Sequence, residues 1–139
     1  MIKFLLGRWT VKPALRQVMD TVHRVTARGI YRARDGQRYI IPGGFEADGG
    51  SVPRLLWWWM PPFGDRAQAA YLLHDYLYNE AEQFPGMTRK IADDLLHEAA
   101  IADGMPSLRA YLIWCAVRLF GGRAWEEYRQ EAIPPMSAA

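Results

Sequence analysis

Histidine and aspartate side chains can transfer protons and bind metals, and this sequence holds such a pair nineteen positions apart, His74 and Asp93. They lie in two segments of helical periodicity on either side of a proline–glycine break at positions 85–86. Two helices joined by so short a break pack antiparallel, so residues equidistant from the turn face each other. With the turn centred at about residue 83.5, His74 faces Asp93. One helical turn closer to the loop, Tyr78 faces Arg89 on the same side, so the spacing predicts one layer of these side chains between the two helices.

The chemistry of such a layer follows from the histidine and its aspartate. An aspartate that accepts a ring N–H fixes the histidine tautomer and raises its basicity, and the other ring nitrogen can then take a proton from water or bind a metal. The same symmetry places His97 in this layer, opposite Ala70, and puts Asp75 toward the edge of the layer. The alternative is a buried polar network that only clamps the two helices together.

A glycine-rich loop precedes the helical segments and contains Asp48-Gly49-Gly50-Ser51. Glycine reaches positive φ and allows a close approach of the backbone to an ion or ligand, and Asp48 adds a carboxylate. The loop is therefore a candidate binding segment. The alternative is an ordinary tight loop that links the strands to the helices.

Three consecutive tryptophans, Trp57, Trp58 and Trp59, follow the loop. They cannot all point into one core, whether the segment is helical or extended, so at least one should be exposed or at an interface. Indole rings suit membrane surfaces and protein interfaces alike. The alternative is that they seal the junction between strands and helices.

Composition narrows the class of protein. The chain has one cysteine, Cys115, which excludes a disulfide framework and a multi-cysteine zinc site. The apolar start is too short for a signal peptide, and no stretch approaches the ~18 uninterrupted apolar residues of a spanning helix. We therefore expect a protein without a transmembrane segment that folds in a reducing cytoplasm.

Charge is distributed unevenly along the chain. Residues 1–38 hold nine basic and two acidic residues, whereas residues 39–139 hold eight basic and thirteen acidic ones. A basic end can meet nucleic acid or anionic lipid. The arginines between positions 24 and 34 form no aromatic-interleaved signature, so we expect no specific nucleic-acid partner.

The elements that must position these residues change character near residue 65. Before it, the segments are short, are separated by Gly, Pro and Asp, and read as strands, with a hairpin turn at Asp35-Gly36. The predicted strands are 9–11, 22–25, 29–31 and 39–41. After it, helix signals dominate: Asp65 with Gln68 forms a capping box, and Thr88 and Ser107 are further caps. The predicted helices are about 65–83, 88–103, 107–121 and 123–131.

These elements predict an α+β fold, with a small N-terminal antiparallel β-sheet followed by a bundle of three to four helices. The length of 139 residues fits one domain. We expect a β-rich half with the glycine loop over residues 1–64, a helical half over 65–132 and a flexible tail over 133–139.

Four segments resemble a phage and prophage family known as domain of unknown function 1353, in the right order over roughly residues 38–126. The segments are Phe45-x-x-Asp48-Gly-Gly-Ser51-Val52-Pro53-Arg54, Ala69-Ala70-x-x-x-His74-Asp75-x-Leu77-Tyr78, Arg89-x-x-Ala92-Asp93 and Ala116-Val117-Arg118-x-x-Gly121-x-x-x-Trp125. The resemblance implies a bacteriophage or prophage origin, and therefore a place in the host cytoplasm or the virion. It implies no activity, because the family has no established one.

His74-Asp75-x-x-Tyr78, followed by Asp93, is also similar to the core of phospholipase A2, especially the compact viral type without disulfides. That likeness implies His74 as general base for water, Asp75 as calcium ligand, and Tyr78 and Asp93 as groups that orient the histidine. The sequence departs from the pattern in the calcium loop, where Gly49-Gly50 is only an approximate substitute for the expected Gly-x-Gly.

Two hypotheses follow. In the first, the protein is a metal-assisted hydrolase, in its sharpest form a phospholipase A2-like esterase, with calcium polarising the carbonyl and the tryptophan run seating the protein on lipid. A variant uses His74, Asp93 and His97 as a three-ligand zinc site. In the second, the protein is a non-enzymatic phage accessory or morphogenesis protein, which needs no metal. Its His–Asp layer is then structural, and its tryptophans dock a phage or host protein.

Overall fold

The fold is given by a computed structural model, which describes residues 7–18, 22–47 and 67–133. Among these described residues, six short strands come first: β1 Arg8–Val11, β2 Ala14–Gln17, β3 His23–Ala27, β4 Gly29–Arg32, β5 Arg38–Ile41 and β6 Glu46–Ala47. In the described range 67–133, four α-helices follow: α1 Gln68–Asn79, α2 Arg89–Ala102, α3 Ser107–Phe120 and α4 Gly122–Glu131. The predicted α+β class is confirmed.

The strands form two antiparallel three-stranded sheets, with strand orders β1-β4-β5 and β2-β3-β6. The predicted hairpin is confirmed, since β4 pairs with β5 in a register that sets Tyr31 opposite Tyr39, and Gly36 in the turn has a φ of 91°. The sequence prediction missed β2 and β6 because neither shows an alternation of apolar and polar residues. β2 has one partly buried residue among exposed ones, and β6 has only two residues.

The helix boundaries agree with the prediction at one cap and differ from it at two caps and at the end of α1. Thr88 caps α2 as predicted, accepting a hydrogen bond from the Ile91 amide. The proposed capping box at Asp65 and Gln68 is wrong, because Gln68 is already the first residue of α1 and Ala67 precedes it as N-cap. Ser107 likewise begins α3 rather than capping it. Finally, α1 ends at Asn79 and a separate 3-10 turn, Ala81–Gln83, continues the chain.

Strands and helices share one hydrophobic core. Buried residues of β3, β4 and β5, such as Val25, Tyr31 and Ile41, join the same cluster as Leu73 and Leu96 of α1 and α2. Glu98 on α2 ties this core to the strands, since its Oε1 accepts hydrogen bonds from the Tyr31 hydroxyl at 2.7 Å and the Arg34 amide at 2.8 Å. Among the described helices, none has the length and apolar character needed to cross a membrane.

Candidate functional site

The predicted contact between His74 and Asp93 is present and completely buried. The His74 Nε2 atom lies 2.7 Å from Asp93 Oδ1, and both side chains have no exposed surface. The first comes from the middle of α1 and the second from the first turns of α2, so the antiparallel pairing of these two helices brings them together. The prediction from mirror symmetry about the turn is confirmed.

Tyr78 belongs to the same layer. Its hydroxyl donates to Asp93 Oδ1 at 2.6 Å, and its ring centroid lies 4.2 Å from that of His74. Burial raises the pKa of the Tyr78 hydroxyl, and the negative charge of Asp93 raises it further, while Arg89 acts in the opposite direction. Tyr78 therefore stays a neutral donor to the carboxylate.

The second oxygen of Asp93 faces two arginines. Arg118 of α3 donates from Nη1 to Oδ2 at 2.8 Å, and Nη1 of Arg89 lies 3.7 Å from the same oxygen. Burial alone would raise the pKa of Asp93, but the hydrogen bond and charge of His74 and the hydrogen bonds of Tyr78 and Arg118 outweigh burial and lower it. Asp93 is therefore a carboxylate at neutral pH.

The ionised state of Asp93 fixes the tautomer of a neutral His74. A carboxylate only accepts hydrogen bonds, so the short contact to Asp93 requires the proton to lie on Nε2 of His74. In the neutral ring, Nδ1 is then the nitrogen that carries the lone pair. The contact to Asp93 thus determines that, in a neutral His74, Nδ1 is the basic nitrogen.

Arg89 joins the layer to the end of α3. Its Nη1 donates to the carbonyl oxygens of Val117 and Arg118, each at 3.2 Å, which are among the last carbonyls of α3. Carbonyls at the C-terminal end of a helix carry partial negative charge, so a cation there is favourable. The prediction that Arg89 faces Tyr78 is confirmed, because the Arg89 side chain is close enough to lower the pKa of the Tyr78 hydroxyl by a hydrogen bond and by its charge. Arg89 also anchors α3.

Asp75 does not lie at an open edge of the layer. Its side chain is 2% exposed, and its Oδ1 lies 3.5 Å from the hydroxyl of Tyr128 on α4. The prediction considered the α1–α2 pair alone, and α4 covers the edge that this pair leaves.

The second predicted histidine, His97, is not placed in the layer. It is partly exposed and lines a separate cavity of about 480 Å³ together with Arg34, Asp94 and Glu98. Four residues of a helix turn through about 400°, so His97 is rotated by about 40° from Asp93 as well as lying one turn further along the axis. It therefore lines the cavity with Arg34 instead of joining the layer. In the ranges 7–18, 22–47 and 67–133, no three His, Cys, Asp or Glu side chains are grouped to hold a metal ion, and His74, Asp93 and His97 do not form one.

The remaining predicted site residues lie outside the described residues. They are the loop residues Asp48, Gly49, Gly50 and Ser51 and the tryptophans Trp57, Trp58 and Trp59. Their predicted roles in binding calcium and in docking stay predictions.

Sequence spacing missed the contribution of the last two helices. Gly121, between α3 and α4, comes so close to Tyr78 that a Cβ atom there would lie 2.8 Å from the tyrosine hydroxyl. Trp125 packs edge-on against the Tyr78 ring, with centroids 5.2 Å apart. Arg129 stacks on Trp125 at 4.3 Å and donates to the Tyr78 carbonyl.

The signal for this contribution was present in the sequence, in the segments that carry the family resemblance. Arg118, Gly121 and Trp125 belong to the last of the four segments. Arg118 contacts Asp93 of the third segment, and Gly121 and Trp125 lie against Tyr78 of the second. Three separate stretches of sequence therefore meet in one network around Asp93.

Comparison with known proteins identifies a family and no individual relative. The sequence model of a family described as "Protein of unknown function (DUF1353)" matches residues 23–117. No curated protein and no solved structure matches the chain. The matched range contains His74, Tyr78 and Asp93.

Proposed function

The chain belongs to this family of proteins of unknown function, DUF1353, and we propose that it is a phage- or prophage-encoded hydrolase in which His74 is the general base. The observation that carries the proposal is the double hydrogen bonding of one oxygen of Asp93. His74 Nε2 and the Tyr78 hydroxyl both lie within 2.7 Å of Oδ1. One carboxylate oxygen therefore binds both the imidazole and the phenol. These contacts orient the imidazole and fix the tautomer of a neutral His74 in which Nδ1 is the nitrogen that accepts a proton.

The chemistry available to these residues is proton transfer at Nδ1 of His74. In ester hydrolysis, Nδ1 takes a proton from water while the water oxygen bonds to the carbonyl carbon, which gives a tetrahedral intermediate and an imidazolium. The intermediate then expels the alcohol oxygen, which takes the proton from Nδ1, so the ring returns to its starting state. Asp93 stabilises the imidazolium throughout, as a carboxylate of lowered pKa can.

Arg118 influences how strongly Asp93 stabilises the imidazolium of His74. Its guanidinium neutralises part of the carboxylate charge through Oδ2, while Oδ1 remains for His74 and Tyr78. Arg118 is therefore a positioning residue in the proposal: it fixes the plane of the carboxylate so that Oδ1 points at the imidazole. Loss of this contact should leave the base present but poorly oriented.

Metal assistance, with calcium as first choice and zinc as second, is the finer form of the proposal. A bound divalent cation would polarise the carbonyl that is attacked. Of the predicted calcium ligands the structure describes Asp75 alone, and this carboxylate lies beside Tyr128. Within the described ranges it belongs to no group of three acidic, histidine or cysteine side chains that could hold a metal ion. The chemistry proposed above therefore uses His74 and Asp93, and assays in calcium, zinc and chelator test whether a metal takes part.

The test is hydrolysis of phospholipid vesicles, with phospholipase A2-like ester cleavage as the reaction. Vesicles of phosphatidylcholine with phosphatidylglycerol are incubated with the protein in calcium, in zinc and in chelator, and released fatty acid is measured. We expect release by the wild type, loss of at least 100-fold in His74→Gln, since general-base catalysis contributes on the order of 10²–10⁴, and little change in Asp94→Asn. Asp94 is the matched control because it adjoins Asp93 but binds Lys90 and Trp114 at the surface.

The outcome in chelator separates the finer form from the coarser one. Release that requires calcium or zinc supports metal assistance, and release that survives chelation supports a base acting alone. Activity that is equal in the wild type and in a folded His74→Gln variant would contradict the proposal.

A second candidate function is favoured by one observation, the complete burial of the layer. His74, Asp93 and Tyr78 have no exposed surface, which is the arrangement expected of a clamp between helices. In this alternative the protein is a non-enzymatic phage accessory or morphogenesis protein, and its network fixes α1, α2 and α3 for binding a partner. It predicts that His74→Gln lowers the melting temperature and that no ester substrate is turned over.

A further inference from the structure

The helix α3 is apolar on two opposite faces, and only one of them is used by the described fold. Ala110, Ile113, Ala116 and Val117 are buried against the protein's own core. On the other side, Leu108 is 70% exposed and Leu119 is 76% exposed. A helix that is apolar around most of its circumference is normally covered on all sides.

The outer face has the spacing of a coiled-coil seam. We define the outer seam as Leu108, Leu112, Cys115 and Leu119, all of which are exposed or partly exposed. Their separations of four, three and four residues are those of alternating d and a positions in a heptad, and the buried Ala110 and Val117 then occupy f positions on the opposite side. Tyr111 and Phe120, both more than half exposed, flank the outer seam.

We propose that the outer seam pairs antiparallel with the outer seam of a second copy of this chain. The separations four, three and four read the same in both directions, so a two-fold axis between positions 113 and 114 sets Leu108 against Leu119. The same axis sets Leu112 against the small Cys115, a large side chain opposite a small one. A two-fold interface requires such a self-complementary surface.

The size and charge of the surface fit this occupant. The outer seam and its aromatic neighbours expose on the order of 500 Å² of apolar surface, so a symmetric pair would bury about 1,000 Å², near the lower limit for a specific interface. No charged side chain lies in the outer seam. An interfacial lipid-binding helix is rich in lysine and arginine, whereas α3 has only Arg109 besides Arg118, which is engaged by Asp93.

The first experiment measures the oligomeric state by sedimentation velocity across a range of protein concentrations. We expect a dimer for the wild type and a monomer for Leu112→Glu and for Leu119→Glu, because each introduces a charge into the paired seam. Ile133→Glu is the matched control, since Ile133 is 68% exposed and lies beyond α4, and it should remain dimeric. Melting curves test whether the variants are folded, and we expect that they are because the substituted residues are exposed.

The second experiment uses the single cysteine of the chain. In the proposed pair the two Cys115 residues are offset by about 4.5 Å along axes roughly 8–10 Å apart, and their Cα atoms lie about 2.3 Å from each axis toward the partner. A short bismaleimide should therefore link two chains of the wild type and fail to link the Leu112→Glu variant. Both reactions are run at the concentration at which the dimer sediments.

The remaining outcomes overturn the proposal. A wild type that is monomeric at all concentrations contradicts it. So does a dimer that persists in both seam variants, which would place the interface elsewhere. A wild type that is monomeric but binds phosphatidylglycerol vesicles, with binding lost in Leu112→Glu, would assign the outer seam to lipid instead.

Discussion

Asp93 holds the layer together at the scale of single residues, because four side chains converge on its two oxygens. His74 and Tyr78 meet Oδ1, and Arg118 and Arg89 approach Oδ2. Two of these partners are arginines that stay charged, so the cost of removing the carboxylate includes two cations left without their anion. The importance of Asp93 is thus a matter of charge as well as hydrogen bonds.

We therefore predict that Asp93→Asn lowers the free energy of unfolding by about 3 kcal/mol, as loss of one partner from a buried charged pair does. Asparagine keeps the shape but leaves Arg118 uncompensated and presents an N–H₂ group to a donor. The control is Asp94→Asn, which should cost less than about 1 kcal/mol, since its ion pair with Lys90 is exposed. Urea unfolding of the three proteins measures the difference; equal stabilities would contradict the buried network.

The pH dependence of stability follows from the lowered pKa of Asp93. Unfolding restores the ordinary value of about 3.9, so the unfolded chain binds a proton more readily than the folded one. The stabilisation is complete above this value and is lost as the pH falls through the lower folded value. We predict that the stability difference between wild type and Asp93→Asn shrinks below about pH 4. Urea unfolding of both proteins at a series of pH values measures this difference. A stability difference that increases as the pH falls would contradict the prediction.

A substitution of Asp75 tests whether this residue belongs to a calcium site. If it contributes to a calcium site, calcium should raise the melting temperature of the wild type by binding the folded state, and Asp75→Asn should abolish that rise while leaving the fold intact. Melts in chelator, calcium and zinc measure the effect. A wild-type melt that is indifferent to every ion would remove the metal from the proposed mechanism and leave His74 and Asp93.

At the scale of elements, the corner between α3 and α4 explains why the layer closes. Gly121 has an ordinary φ of −78°, so its lack of a side chain is needed for space and not for backbone conformation. A Cβ atom would lie 2.5 Å from the Val117 carbonyl oxygen as well as close to Tyr78. The neighbouring Gly122 has no such restriction, since the nearest atom to its Cβ would be 4.0 Å away.

This contrast gives a prediction with a matched control. Gly121→Ala should destabilise the protein by about 1–3 kcal/mol, because an added methyl group forces apart packed atoms. Gly122→Ala should be neutral or stabilising by up to about 1 kcal/mol, since alanine is a better helix residue than glycine. Thermal unfolding of both variants decides the matter, and equal effects would show that Tyr78 does not need the close approach of this corner.

The elements also show what sequence could and could not predict. His74, Asp93 and Tyr78 were found because a short hairpin between two helices has a symmetry that can be read from residue numbers. Arg118 was missed as a partner of Asp93 because the angle at which α3 crosses α2 is not encoded in that symmetry. His97 was misplaced because spacing along a helix gives the turn on which a residue lies more reliably than its direction.

At the scale of the whole molecule, the family assignment from four short segments is confirmed, and the α+β order of strands before helices is confirmed with it. The proposed boundary between a β-rich and a helical half, near residue 64, lies among residues that the structure does not describe. The shared core, with Tyr31 and Leu96 in one cluster, shows that the described strands and helices are stabilised together.

The proposed role of His74 requires that water reach a side chain without exposed surface. The direct measurement is deuterium exchange at the C2 position of each histidine ring, followed by mass spectrometry of the folded protein, with the partly exposed His97 as internal reference. Local opening of the layer without global unfolding predicts that His74 exchanges measurably while the core amides stay protected. A His74 ring that exchanges only when the whole protein unfolds, long after His97 is complete, would contradict a general base and identify a clamp.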